Sequence, residues 1–163
     1  MYKRVFKRND GQNLLLFNTK EHKEKNIEEL KRSPHAKPQI RWNPSRQEWV
    51  TYSPSRKKRN VYPSKEYCPL CPAGKINYPT EIPFNDFEVA VFPNRWSSFN
   101  THQEKKNIKG IESQPANGHC EVIVYSSNHN VTIAEMPLNQ ISLLTRAWID
   151  RYKNLLSRDD IQY

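Results

Sequence analysis

Three observations predict an α+β domain in which antiparallel strands are backed by one long amphipathic helix. Short apolar runs (Leu14-Leu-Leu-Phe17, Glu48-Trp-Val-Thr-Tyr52, Phe87-Glu-Val-Ala-Val-Phe92 and Cys120-Glu-Val-Ile-Val-Tyr125) alternate with turn residues. The earlier runs sit in hairpin patterns, which pair strands antiparallel. Near the end, Leu138, Ile141, Leu144, Trp148, Tyr152 and Leu155 recur at three- and four-residue steps, the spacing of one helix face.

The chain of 163 residues is long enough for one sizeable core, so one domain is the default. Mean hydropathy is low at −0.94. Four Trp, eight Tyr and six Phe are nevertheless available to pack, which argues against a disordered chain. No apolar run approaches the length of a membrane span, and the basic N-terminus has no apolar signal core behind it. Three cysteines, an odd number, suit a reducing compartment better than a disulfide frame. A cytoplasmic protein is the expectation.

The net charge of +9 is uneven: residues 1–66 carry 17 Lys+Arg against 7 Asp+Glu, and residues 67–163 carry 9 against 10. An anion-seeking surface would therefore belong to the first part. For residues 20–37 a solvated, Lys-rich flank is the preferred account.

Lys3 to Phe17 reads as a hairpin with a tight Asn9-Asp10-Gly11 turn, and residues 18–37 as a charged linker with at most one exposed helical turn. Ile40-Arg-Trp42 and Glu48–Tyr52 read as two strands joined by a turn that Asn43-Pro44 starts, with one face buried. Ser53-Pro-Ser-Arg-Lys-Lys-Arg59 follows on a loop. There Arg56 and Arg59 could clamp phosphate oxygens, or simply stand in solvent. In the strand 87–92, Val89 and Val91 share a face. Residues 100–117 read as a surface loop, and 120–125 as a strand apolar enough for the sheet interior. Thr132 and Glu135 have capping-box spacing and Pro137 suits a first helical turn, so a helix of about five turns follows, with Trp148 and Tyr152 packed against the sheet. Asp159–Tyr163 looks like the entry to a further strand.

The densest chemistry is Tyr67-Cys-Pro-Leu-Cys-Pro72. Cys68 and Cys71, two residues apart in a Pro-stiffened turn, can hold one tetrahedral metal ion. The same spacing suits a redox pair, but such pairs usually open a helix, and Pro72, Gly74, Asn77 and Pro79 are loop chemistry. Two unpaired buried thiols is the remaining reading. Further ligands would come from His22, His35, His102, His119, His129 or Cys120. The first two lie in the charged linker and His102 in a loose loop. His119 and His129 flank one strand at opposite ends, so both cannot reach one ion. His129, beside Ser127 and Asn128 at the loop end, is the favoured ligand, against the alternative of a surface histidine that binds nothing. Cys120 heads a strand and reads as a small core residue. Zinc-finger spacing is absent.

Taken together these pieces resemble the galactose-1-phosphate uridylyltransferase family of the histidine-triad superfamily. The resemblance is carried by Arg41-Trp-Asn-Pro44 with Glu48-Trp49-Val50, Ser53–Arg59, Cys68-Pro-Leu-Cys-Pro72, Pro79-Thr-Glu-Ile-Pro83, Val89-Ala-Val-Phe-Pro-Asn-Arg-Trp96, Gly118-His-Cys-Glu-Val122 and Ser127-Asn-His129, in that order. It implies a histidine-triad-like half-barrel of antiparallel strands, here truncated. Residues 1–39 would be the hairpin and linker, and 40–163 an incomplete uridylyltransferase N-terminal domain. It implies transfer of UMP between UDP-glucose and galactose 1-phosphate through a uridylyl-histidine, in galactose metabolism, by an enzyme that usually pairs as a homodimer. It also implies zinc on Cys68, Cys71 and His129, phosphate contacts from Arg56 and Arg59, and nucleoside contacts from Asn94. A ribose contact is implied for Arg95, which stands where some relatives carry an acidic residue. The family's His-Pro-His segment, which supplies the nucleophile and a fourth zinc ligand, is expected beyond Tyr163. No catalytic residue is therefore assigned, and the chain alone is expected to be inactive. The alternatives are a nucleoside-diphosphate-sugar phosphorylase of the same fold and a basic zinc-binding nucleic-acid module. Against the latter, the basic residues are not interleaved with aromatics, so a nucleic-acid partner is not expected.

Overall fold

A computed structural model of the chain describes residues 1–27, 38–58, 63–76, 79–100 and 109–161. The elements are β1 (Tyr2–Lys7), β2 (Asn13–Asn18), β3 (Gln39–Asn43), β4 (Glu48–Tyr52), β5 (Val89–Pro93), β6 (Ser113–Pro115), β7 (Glu121–Val124) and α1 (Leu138–Leu156). Among the described residues the architecture is α+β, with two antiparallel sheets and one long helix near the C-terminal end, as the sequence predicts. The larger sheet runs β1-β2-β5-β7 and the smaller β4-β3-β6.

The opening hairpin closes where the sequence places it. Gly11 takes the left-handed φ of 79° that a side chain resists, and the turn is bonded Gly11 N to Arg8 O and Arg8 N to Gln12 O. β2 and β5 are the middle strands of the larger sheet, and both of their faces are covered. Leu15, Phe17, Val89 and Val91 pack with Met136, Leu143, Leu144 and Ala147 on the helix side. Leu14, Leu16, Ala90 and Phe92 pack with Ile82, Phe84 and Phe87 on the other. That is why these strands read as unbroken apolar runs rather than alternating ones. Burying each large side chain contributes about 1.5–3 kcal/mol, so the two central strands carry much of the core.

Three strand expectations change. β7 is the outer strand of the larger sheet among the described residues and is only half buried, not interior, because no described strand pairs with its other side. β4 has no covered face: Trp49, Val50 and Tyr52 are all at least 40% exposed, since no described layer packs on it. Instead Trp42 and Trp49 pair across the ladder at 5.5 Å, and the Arg41 guanidinium stacks 3.8 Å from the Tyr52 ring. Within the expected loop 100–117, Ser113–Pro115 forms β6 against β3; residues 101–108 lie outside the described set.

The helix has the expected length but a different buried face. The capping box of Thr132 and Glu135 closes a single 3-10 turn, Ile133–Glu135, and α1 begins only after Pro137. Gln140 then pins its first turn by donating to Glu88 O and Tyr125 O. The side toward the sheet is Leu143, Leu144, Ala147 and Arg151, while Trp148 and Tyr152 stand 48% and 64% exposed. Small Ala147 lets the helix approach the sheet. Arg151 can be buried because it forms a two-pronged pair with Glu121, both contacts 2.8 Å.

Candidate metal centre

The cysteine turn is built as the prolines suggest. A 3-10 turn at Lys65–Tyr67 leads in, Cys71 N donates to Cys68 O across the two-residue spacer, and a second 3-10 turn follows at Ala73–Lys75. Both cysteines are buried, each 6% exposed. A strap running through Thr80–Phe84 holds the turn to the core. Glu81 N donates to Pro69 O, Ala73 N to Ile82 O and Gly74 N to Phe84 O, with Pro72 bridged parallel to Ile82. Ile82 and Phe84 are fully buried, so the strap is a core element.

His129 arrives from the loop after β7. Asn128 N donates to Ser126 Oγ, which shapes this loop, and Lys75 draws it to the cysteine side by donating to both Ser127 Oγ (3.2 Å) and Asp86 Oδ1 (3.1 Å). Burial by itself would raise the Asp86 pKa, but the hydrogen bonds from Ser127 and Lys75 outweigh it and hold the carboxyl below its ordinary value. His129 Nδ1 lies 3.3 Å from Cys71 Sγ. The donor atoms of Cys68, Cys71 and His129 all fall within 4.8 Å of one another. Burial, and then the neighbouring Cys68, push the Cys71 thiol up to about 11. Two sulfurs and one imidazole nitrogen at this spacing are a donor set that can hold a metal ion, and its binding would release the thiol protons.

The other candidates fall elsewhere. His22 Nδ1 is hydrogen-bonded with Arg4, and the ring meets Phe84 edge-on. His119 pairs with Glu121. Cys120 is half buried and outside the cluster. His35, His102 and Arg59 lie outside the described residues. Arg56, on the 3-10 segment Pro54–Lys58, donates to Ser98 Oγ at 2.8 Å, while Ser53 Oγ donates to Ser97 O. The basic segment is thereby joined to the loop after β5. In that loop Asn94 N donates to Cys120 O, its side-chain oxygen accepts from Trp96 N, and Arg95 lies 5.3 Å from the Trp96 ring. Asn94 also lines a groove of about 470 Å³ with Lys3, Asn100, His119, Arg151 and Arg158.

Sequence reasoning missed the buried pair between Arg8 and Glu81, whose side chains are 5% and 4% exposed. The signal was an acidic residue beside Ile82 in the short proline-flanked stretch Pro79–Pro83.

Fold and cluster together define a class: an α+β domain whose sheet and loops bring a Cys-x-x-Cys turn and a distant histidine to one metal-competent point. Residues 19–163 match the profile of "Galactose-1-phosphate uridyl transferase, N-terminal domain", and the chain belongs to that family. It is 36% identical over 128 residues to the galactose-1-phosphate uridylyltransferase of Thermotoga maritima, covering 77% of this chain and 38% of that protein. It is 30% identical over 97 residues to that of Streptomyces lividans, covering 60% and 23%. A solved structure described as that of a uridylyltransferase superposes with a TM-score of 0.51 and 27% identity, over 71% of this chain and 35% of the other. The chain thus spans well under half the length of these relatives. Among the described residues no helix is long and apolar enough to cross a membrane.

Proposed function

We propose that this chain is the N-terminal part of an enzyme that moves UMP between UDP-glucose and galactose 1-phosphate through a uridylyl-histidine. The observation that carries the reading is the meeting of Cys68, Cys71 and His129 at one point within a family-matched scaffold. In this reading the ion is zinc, bound for structure. It would hold the cysteine turn and the loop after β7 in register with the histidine segment that supplies the nucleophile and the fourth donor. No His-Pro-His stands in these 163 residues.

Arg56 and Arg59 bind the phosphates, where guanidinium forks neutralise charge as the α-phosphorus is attacked. Asn94 and Arg95 border the nucleoside. The joining of the Arg56 segment to the loop after β5 through Ser97 and Ser98 supports a shared role for these residues. The test is an assay of a polypeptide joining this chain to the histidine segment, with UDP-glucose as donor. Galactose 1-phosphate should accept UMP and inorganic phosphate should not. Preference for inorganic phosphate would make the enzyme a phosphorylase, and no transfer to either would end the reading.

A further inference from the structure

Resting on the reading of Cys68, Cys71 and His129 as metal ligands, we infer that Arg8 and Glu81 are positioning residues that set the geometry of the cysteine turn from outside it. Glu81 faces two ways. Its main-chain N–H bonds Pro69 O, inside the Cys-x-x-Cys turn, at 2.8 Å. Its carboxylate and its main-chain oxygen both accept from the Arg8 guanidinium, Nη1 to Oε2 at 3.0 Å and Nη2 to the carbonyl.

Arg8 is itself immobilised by other groups. Its backbone closes the β1–β2 turn through Gly11 and Gln12, and its guanidinium lies 4.9 Å from the ring centroid of Phe92 on β5. A fork fixed to the sheet therefore reads the position of the strap, and the strap holds the cysteine turn on both sides, at Pro69 and at Ala73. A rigid two-point fork loses its fit on displacements a flexible lysine would follow.

Packing alone does not account for this arrangement. Arg8 Nε is buried and has no hydrogen-bond partner among the described residues, a cost that an apolar side chain of similar size would avoid. Buried ion pairs are best attested where they fix register, and register is what three donors on two separate loops require. Arg8 lies ahead of residues 19–163, the stretch matched to the family.

The metal-stripped polypeptide that joins this chain to the histidine segment is titrated with cobalt(II), and amide exchange of its metal-free form is followed residue by residue. Arg8→Lys keeps the charge but loses the fork. Glu81→Gln loses the charge, and Glu121→Gln breaks the part-buried pair with Arg151 as a control. Arg8→Lys and Glu81→Gln should each weaken cobalt binding about 10- to 100-fold, the range for groups that orient ligands without touching the metal. They should also shift the cobalt absorption envelope and speed exchange at Cys71, Ala73 and Glu81, while Leu144 and Ala147 in α1 stay protected. Glu121→Gln should leave cobalt affinity unchanged. Should Glu81→Gln fail to fold, the milder Arg8→Lys decides. Unchanged affinity in folded variants, or an equal loss in Glu121→Gln, overturns the inference while the metal reading stands. A parent chain that takes up no cobalt overturns both.

Discussion

Cys71 Sγ and His129 Nδ1 stand 3.3 Å apart although 58 positions separate them in the chain. The two segments meet because β5 and β7 are neighbours in one sheet, because Lys75 bridges Asp86 and Ser127, and because the strap fixes the cysteine turn to the core. The donor set is thus a product of tertiary structure.

Cys68→Ser and His129→Ala should each lower zinc content and melting temperature together in a metal-loaded protein. Structural zinc can contribute on the order of 10 kcal/mol. If only about 3 kcal/mol is lost, the melting temperature falls by roughly 6–12 °C at this chain size. Elemental analysis and calorimetry on one preparation check this, and unchanged zinc stoichiometry in Cys68→Ser would remove Cys68 from the ligand set.

Gly74 faces the strap so closely that an added Cβ would lie 2.0 Å from Asn85 Oδ1 and 2.8 Å from Asn85 Cα. The second contact is backbone and cannot rotate away. Gly74→Ala should therefore destabilise by about 1–3 kcal/mol, as overpacked sites do. Urea unfolding measures it, and a midpoint equal to the parent would mean that the strap yields freely.

Glu121 sets an acid limit. Burial would raise its pKa, but hydrogen bonds from His119 and Arg151 outweigh that and place the carboxyl below its ordinary value of 4.5. A depressed folded pKa contributes stability that is complete above the unfolded value and is lost as pH falls through the folded one. Urea midpoints should decline below about pH 4.5, and Glu121→Gln should flatten that part of the profile. The same variant should cost about 3–5 kcal/mol at neutral pH, because Arg151 is left buried without its carboxylate. A decline of equal slope in Glu121→Gln would assign the acid sensitivity elsewhere.

The helix faces are separable by truncation. Leu144→Ala, at a position 1% exposed, should cost about 2–5 kcal/mol. Tyr152→Ala and Trp148→Ala, on the outward side, should stay within about 0.5 kcal/mol. The reverse order in denaturant titrations would mean that the helix is rotated from the orientation described.

Arg56→Ala in the complete enzyme should lower kcat by about a hundredfold, the scale for one lost charge-stabilising donor. The melting temperature should barely move, because Arg56 is exposed and its described side-chain hydrogen bond, to Ser98, is a surface contact. Turnover equal to the parent would leave Arg56 as a solvated loop residue.

Much of this was legible in the sequence. The Leu14–Phe17 and Val89–Phe92 runs announce covered strands, Asn9-Asp10-Gly11 announces a turn, and Cys68-x-x-Cys71 announces a tight turn with two thiols on it that could share a metal ion. His129 was reachable by elimination and by resemblance. What escaped has physical causes. β6 is the three residues Ser113–Pro115, too short and too polar to show alternation. Apolar spacing marks Trp148 and Tyr152 as the inward helix face, whereas the buried stripe uses Ala147 and a paired Arg151. At 3.6 residues per turn, neighbouring positions differ by about 100° in direction, so one step in sequence changes the side. Arg8 and Glu81 are 73 positions apart, and nothing local joins them.

Because alternate residues of β5 face opposite layers, the strand carries two independent reporters side by side. An isotope label on Val91 senses the helix side, and one on Phe92 senses the side where the strap lies. A warming series read at those adjacent sites would tell which half of the sandwich loosens first.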